Sequence, residues 1–189
     1  MIKSLHVYDF DGTLFRSPEE PPWWHHKGWW TDPASLKSPC VPSQPPDDWW
    51  VGSVLKRAKE SIADEETYTV LLTGRRDGTF NSRVKVLLSQ AELEFDEVHL
   101  STQEDSQAFK IAELKRLVKE HPDLETVEMW EDRPGQLPPF KYVIESAGIK
   151  FVAHKVDAAA KPAQCRLTDD GKLIERVAAR WAARQRTGG

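Results

Sequence analysis

The chain has 189 residues, 39% of them hydrophobic and 30% charged, and a formal net charge of −4. That length fits one domain with a small insert and a real core, and the balance excludes a disordered chain. The negative charge argues against a generic polyanion binder, and no apolar stretch is long enough to span a bilayer. The first predicted element is a buried strand, Leu5 to Tyr8. It starts almost at once, so no signal peptide is expected. Asp9-Phe10-Asp11-Gly12-Thr13 follows directly. Residues i and i+2 of a strand share a face. Asp9 and Asp11 are therefore expected to converge on one ligand at the strand's carboxyl end, where open α/β sheets place their sites. Two convergent carboxylates repel unless a cation lies between them or one holds a proton. The bland alternative is an Asp-rich turn closing a strand.

Residues 16–50 break the pattern, holding eight of the 13 prolines and six of the eight tryptophans. Proline at this density denies helix and central strand alike, and a flexible linker has no use for six indoles. An ordered flap or small cap is expected here. The pair His25-His26 has no third ligand at useful spacing and reads as loop. Next, Asp47 or Asp48 is expected to cap a helix with Val51, Val54, Leu55, Ala58 and Ile62 on one face. A strand over 67–72 follows, then a helix burying Phe80, Val84, Leu87, Leu88 and Ala91, and a short strand from Glu97 to Leu100. A helix from Ser106 to Glu120, a strand over 126–130, a helix ended by Gly148 and a strand over 150–154 complete the series. This alternation predicts a Rossmann-like, doubly wound parallel sheet. A last helix, Asp170 to Arg184, carries Arg176, Arg180 and Arg184 at i, i+4 and i+8, a stripe that reads as a solvated face or a track for a nucleic-acid backbone. Cys40 and Cys165 lie far apart and fit no metal or disulfide framework. The expected location is intracellular, cytoplasm or nucleus.

The DFDGT string resembles motif I of the haloacid dehalogenase (HAD) superfamily, most of whose members are phosphatases. Thr73-Gly74-Arg75 after the second strand looks like motif II, Lys110 suits motif III, and Glu131-Asp132 at a strand end suits motif IV. The Trp- and Pro-rich insert, Phe80 with Arg83, Phe109-Lys110 and Glu131-Asp132-Arg133 narrow the resemblance to the Swiss Army Knife RNA-repair-like HAD domains. That pattern usually continues to a His where this chain has Gln136. The resemblance implies a HAD phosphatase core over 1–155, with the 16–50 segment as its flap or cap, and a C-terminal extension over 156–189.

The resemblance also implies roles. Asp9 would be the nucleophile that forms an aspartyl-phosphate, and Asp11 the general acid and base. Mg2+ would take oxygen from Asp9, the Asp11 carbonyl and Asp132, with Glu131 acting through water. Lys110 and Thr73 would offset charge on the phosphoryl group. Gly74, Arg75 and Arg133 would contact substrate; the two arginines could fork onto a second phosphate or form surface ion pairs. Trp23 and Trp24, beside the active strand, are candidates for stacking on a base, while most of the six tryptophans are expected to pack the flap. The expected substrate is a phosphorylated RNA or DNA end. A small-metabolite phosphatase and a non-catalytic binding module are the alternatives.

Overall fold

Alternation along each strand decides which residues meet which helices. In β1 (Ser4–Tyr8), Leu5 and Val7 point to one side of the sheet and Tyr8 to the other. β2 (Thr67–Arg76) sends Val70 and Leu72 to the first side and Leu71 to the second. A computed structural model describes residues 2–22, 24 and 28–157. Trp23, His25, His26, Cys165 and the basic helix expected over 170–184 lie outside the described residues.

With β3 (Glu97–Ser101), β4 (Thr126–Glu131) and β5 (Lys150–Lys155), the strands form one parallel sheet in the order β3-β2-β1-β4-β5. The Leu5/Val7 side packs Phe109, Leu114 and Leu117 of α3 (Ser106–Glu120) and Phe140 and Ile144 of α4 (Leu137–Ser146). The Tyr8 side packs Val54 and Ala58 of α1 (Gly52–Ile62) and Phe80, Val84 and Leu87 of α2 (Asp77–Gln90). Helices on both faces make this the expected doubly wound architecture. None of the described helices is long and apolar enough to cross a membrane.

Three expectations need correction. Asp47 and Asp48 do not cap α1. They form a separate 3-10 turn, Asp47–Trp49, and Val51 sits at the N-cap without a side-chain bond. The chain is recruited there by the Val51 N–H donating to the Leu14 carbonyl at 3.1 Å, a tertiary contact that overrides local capping. β2 runs past residue 72 to Arg76, through a bulge where Thr73 pairs with Leu100 but Arg76 pairs with the next residue, Ser101. Cys40 is disulfide-bonded, against the reading of the cysteines as unpaired. With Cys40 disulfide-bonded, cysteine spacing no longer supports an intracellular location.

The insert belongs to the core. Phe15 lies against Phe10, Trp49 and Trp50 with ring centroids 5.0–5.7 Å apart. Arg16 N–H donates to the Trp49 carbonyl at 2.7 Å, which closes the two ends of the segment on each other. Trp24, Trp29 and Cys40 make a small cluster of their own. From α2, Arg83 donates to the carbonyls of Leu36, Ser43 and Pro42 at 2.9, 3.1 and 2.6 Å. A proline-rich stretch has few N–H groups to bind its own carbonyls, and the guanidinium takes their place.

Candidate active site

The parity that buries Leu5 and Val7 also aims Asp9 at α3, and the parity of β4 that buries Val127 and Met129 aims Glu131 the same way. Both meet Lys110. Its ammonium donates to Asp9 Oδ1 at 2.7 Å and to Glu131 Oε2 at 2.8 Å, and all three side chains are buried. α3 can place it there because Asp105 caps the helix, accepting from the N–H groups of Gln107 and Ala108 at 2.9 and 3.0 Å.

Asp132 completes an acidic group: one oxygen from each of Asp9, Glu131 and Asp132 lies within 4.8 Å of the others. Glu131 has both oxygens engaged, the second by the Arg133 N–H at 3.2 Å. Asp9 Oδ2 and Asp132 Oδ1 are buried without any hydrogen-bond partner. Two of these carboxylates share one lysine and the third has the half-exposed Arg133 3.9 Å away; with Asp11 nearby, negative charge is in excess. Burial, then Glu131 and Asp11, push the Asp9 carboxyl up to about 7 against the pull of Lys110. Burial and Asp9 also raise Asp132. Burial alone would depress Lys110, but Asp9 and Glu131 outweigh it and hold it raised. Orphaned hard oxygens and uncompensated charge are what a divalent cation such as Mg2+ satisfies, so these residues fit that ion. Gly12 is part of this arrangement. Its φ is +69°, and a Cβ there would meet Asp132 Oδ2 at 2.5 Å.

Asp11 lies in the turn beyond the end of β1 at Tyr8, near enough to help raise Asp9 and on the same cavity wall as Asp132. Arg75 Nε and Nη2 fork onto the Asp11 carboxylate at 2.8–3.0 Å, and the Ser17 hydroxyl donates to the same group. Arg75 thus forms an ion pair with an Asp, one of its two expected roles, but from a buried position rather than at the surface, and its other donors go to the Trp30 carbonyl at 3.0 Å and to Ser35 Oγ. The β2 bulge explains its aim, because a bulge re-directs one side chain out of the sheet's alternation. Thr73 is buried, and its Oγ1 accepts the Arg75 N–H at 3.2 Å. Gly74 lets the bulge approach the start of α3: a Cβ there would lie 2.9 Å from that of Ser106.

A cavity of about 440 Å³ opens over this group, walled by Asp11, Gly12, Gly74, Arg75, Asp132 and Arg133 among others. Asp9, Thr73 and Lys110 are not on its wall. Arg133 is half exposed, with the Glu131 carboxylate 3.6 Å away. With the Gln136 amide turned as its neighbours require, its oxygen accepts from both terminal nitrogens of Arg133 at 3.1–3.2 Å. Trp24 is not a wall residue. It is buried edge-on against Trp29, ring centroids 5.1 Å apart, because the insert needs an anchor more than the cavity needs that ring. Trp30 holds the wall position instead. Pairing had marked it as one of six tryptophans, but no local signal separates Trp30 from its neighbours. Nor does any announce Ser17 or Ser35.

Comparison with known proteins adds four findings. A 26% identical relative, the uncharacterized protein YMR265C of Saccharomyces cerevisiae, aligns over 173 residues, 77% of this chain and 38% of that protein. A chain of the Pnkp1/Rnl/Hen1 complex has a similar fold, with TM-score 0.51, 15% identity, and coverage of 82% of this chain and 45% of that one. The HAD domain of the Legionella pneumophila effector Lem4, in an inactive mutant, has TM-score 0.50 at 11% identity and covers 94% and 93%. The chain therefore spans less than half the length of the yeast protein and of the Pnkp1-complex chain. The model of HAD domain family 1 in Swiss Army Knife RNA repair proteins matches residues 10–174, and the chain belongs to that family.

Proposed function

We propose that the chain is a Mg2+-dependent phosphohydrolase that works through an aspartyl-phosphate on Asp9, acting on terminal phosphates of nucleic acid. One observation carries the reaction: Asp9 has one oxygen fixed by Lys110 and the other, Oδ2, buried and unpartnered. The Asp9 carboxylate is the attacking group. It bonds to phosphorus as the bond from phosphorus to the leaving alcohol breaks. Asp11 gives its proton to the departing oxygen, then takes one from the water that hydrolyses the acyl phosphate, restoring both carboxyl groups. To do so it exchanges a contact with Arg75 or Ser17 for the leaving oxygen. Lys110 offsets charge while Glu131 holds it in place. Thr73 Oγ1, already accepting from Arg75, keeps its own proton for a phosphoryl oxygen. Asp9, Asp132 and the Asp11 carbonyl would hold Mg2+, which would supply the positive charge that the carboxylates lack.

The nucleic-acid reading draws on the family's placement among RNA repair proteins and on the fold likeness to a chain of an RNA repair complex. A small-metabolite phosphatase is the second reading, favoured by a cavity of about 440 Å³, a size that encloses one small ligand. The test is Asp9→Asn, which keeps shape and removes the nucleophilic charge. Mg2+-dependent hydrolysis of phosphate esters should vanish with thermal melts unchanged. Turnover near wild type would falsify the assignment, and a wild-type chain silent on every ester would leave a binding module. Oligonucleotides with 3′-, 5′- or 2′,3′-cyclic phosphate, run beside sugar phosphates, decide the substrate.

A further inference from the structure

We propose that Trp30 is the residue that reads a planar ring, a nucleobase next to the scissile phosphate; this deepens the phosphatase reading and rests on it. Among the described tryptophans, Trp24, Trp29, Trp49, Trp50 and Trp130 are buried, while Trp30 is 46% exposed. A single exposed indole is ordinary on a protein surface. Its setting here is not.

Trp30 is held from several sides. Trp29 beside it is fully buried and donates its indole N–H to the Pro18 carbonyl at 2.9 Å. The turn closes with Thr31 and Asp32 N–H groups on the Gly28 carbonyl. The Trp30 carbonyl accepts from Arg75, and the Arg75 guanidinium lies over the indole, 5.1 Å from a ring centroid. One ring face is therefore backed by a cation that also holds Asp11, and Trp30 is among the residues that wall the cavity over Asp132. A ring fixed before the ligand arrives loses little entropy on stacking. The same wall carries Arg16, Arg76 and Arg133 together with the acids Glu19, Glu104 and Asp157, and Arg76 pairs with Glu104. An aromatic platform on one wall with Arg75 and Arg133 matches a ligand that is flat at one end and anionic at the other. A base with its phosphate has that form. A sugar phosphate has the charge without the flat ring.

The test measures kcat and KM of the full chain with Mg2+, as wild type, Trp30→Ala and Trp30→Phe. Acetyl phosphate and glycerol phosphate carry no ring; a nucleoside 3′-monophosphate and a 3′-phosphorylated oligonucleotide do. Trp30→Ala should raise KM roughly tenfold for the two base-bearing substrates, with kcat little changed. It should leave the two ring-free substrates within about twofold, and Trp30→Phe should recover most of the loss. Parallel losses in mononucleotide and oligonucleotide mean that one base beside the phosphate is read. A loss confined to the oligonucleotide means that the base is read as part of a strand. Either supports the platform. Equal losses on all four substrates, or no loss on the base-bearing pair, overturn it. Binding of nucleoside 3′-monophosphate by Asp9→Asn, followed by calorimetry, should weaken roughly tenfold when Trp30→Ala is added. That measurement needs no turnover. A chain inactive on every ester would sink the phosphatase reading and still leave Trp30 to be judged by the calorimetry.

Discussion

At the scale of single residues, the site is a problem of charge. Asp9 and Glu131 share Lys110, Asp132 lies beside them with Arg133 Nε 3.9 Å away, and two of the carboxylate oxygens lack hydrogen-bond partners. Removing Asp132 should leave Asp9 and Lys110 in place but take away one hard oxygen. Asp132→Ala should therefore shift the Mg2+ titration of activity to higher concentration by about tenfold or more, and an unchanged titration would place Asp132 outside the metal shell. Arg75 poses the opposite case. It is buried, and its loss strands the Asp11 carboxylate and frees the Trp30 carbonyl. Removing one partner of a buried pair costs about 3–5 kcal/mol, less here because Asp11 is partly exposed. Arg75→Ala should lower Tm by several degrees, which a melt equal to wild type would contradict. Asp9, Asp11 and Asp132 were legible as acids at strand ends. The Asp11–Arg75 fork was not, since it joins residues 64 positions apart through a bulge that leaves no mark in hydrophobic periodicity.

Elements were legible where periodicity governs them. α3 spans Ser106–Glu120 as expected, with an Asp at its cap and an apolar stripe inside. The helix and strand alternation also gave the parallel sheet. Legibility failed where tertiary contacts set the boundary: at α1, whose start is pulled to Leu14, and at β2, which continues through its bulge. The insert was legible as ordered but not in form. Its 3-10 turns, Trp29–Thr31, Pro33–Leu36 and Asp47–Trp49, are held by partners far along the chain. Arg83 is the chief of these, and burial lowers the pKa of its guanidinium without neutralising it. Arg83→Ala would free three carbonyls at a cost of roughly 1–3 kcal/mol. Tm should fall by several degrees, and limited proteolysis should open the chain between residues 36 and 43 ahead of the sheet. A cleavage pattern like wild type would mean that the insert is held without Arg83.

For the molecule as a whole, the crowded carboxylates should make stability depend on pH and on the cation together. Asp9 has a folded pKa of about 7, above its ordinary 3.8, because burial penalises its anion. Such a group favours the fold while protonated, so its contribution falls as pH rises from about 4 to about 7 and then levels. Asp132 is shifted the same way. Lys110 is raised, so its contribution is constant below its ordinary 10.5 and adds no slope in that window. Glu97, lowered to about 2, contributes fully above about 5 and is also flat there. His6 is lowered by burial and works against Asp9, because its contribution is lost as pH falls through its ordinary 6.5. Asp9→Asn isolates the Asp9 share. Without divalent cation, the Tm of Asp9→Asn minus that of wild type should grow by roughly 5 °C or more between pH 5 and pH 8. Mg2+ and protons compete for the same oxygens, so added Mg2+ should raise the wild-type Tm far more at pH 8 than at pH 5. Asp9→Asn should lose most of that increment. Scanning calorimetry at both pH values, with Mg2+ and with chelator, reads all of it. An increment equal at pH 5 and pH 8, or one untouched by Asp9→Asn, would detach the cation from Asp9 and with it the reason for a nucleophile buried among acids.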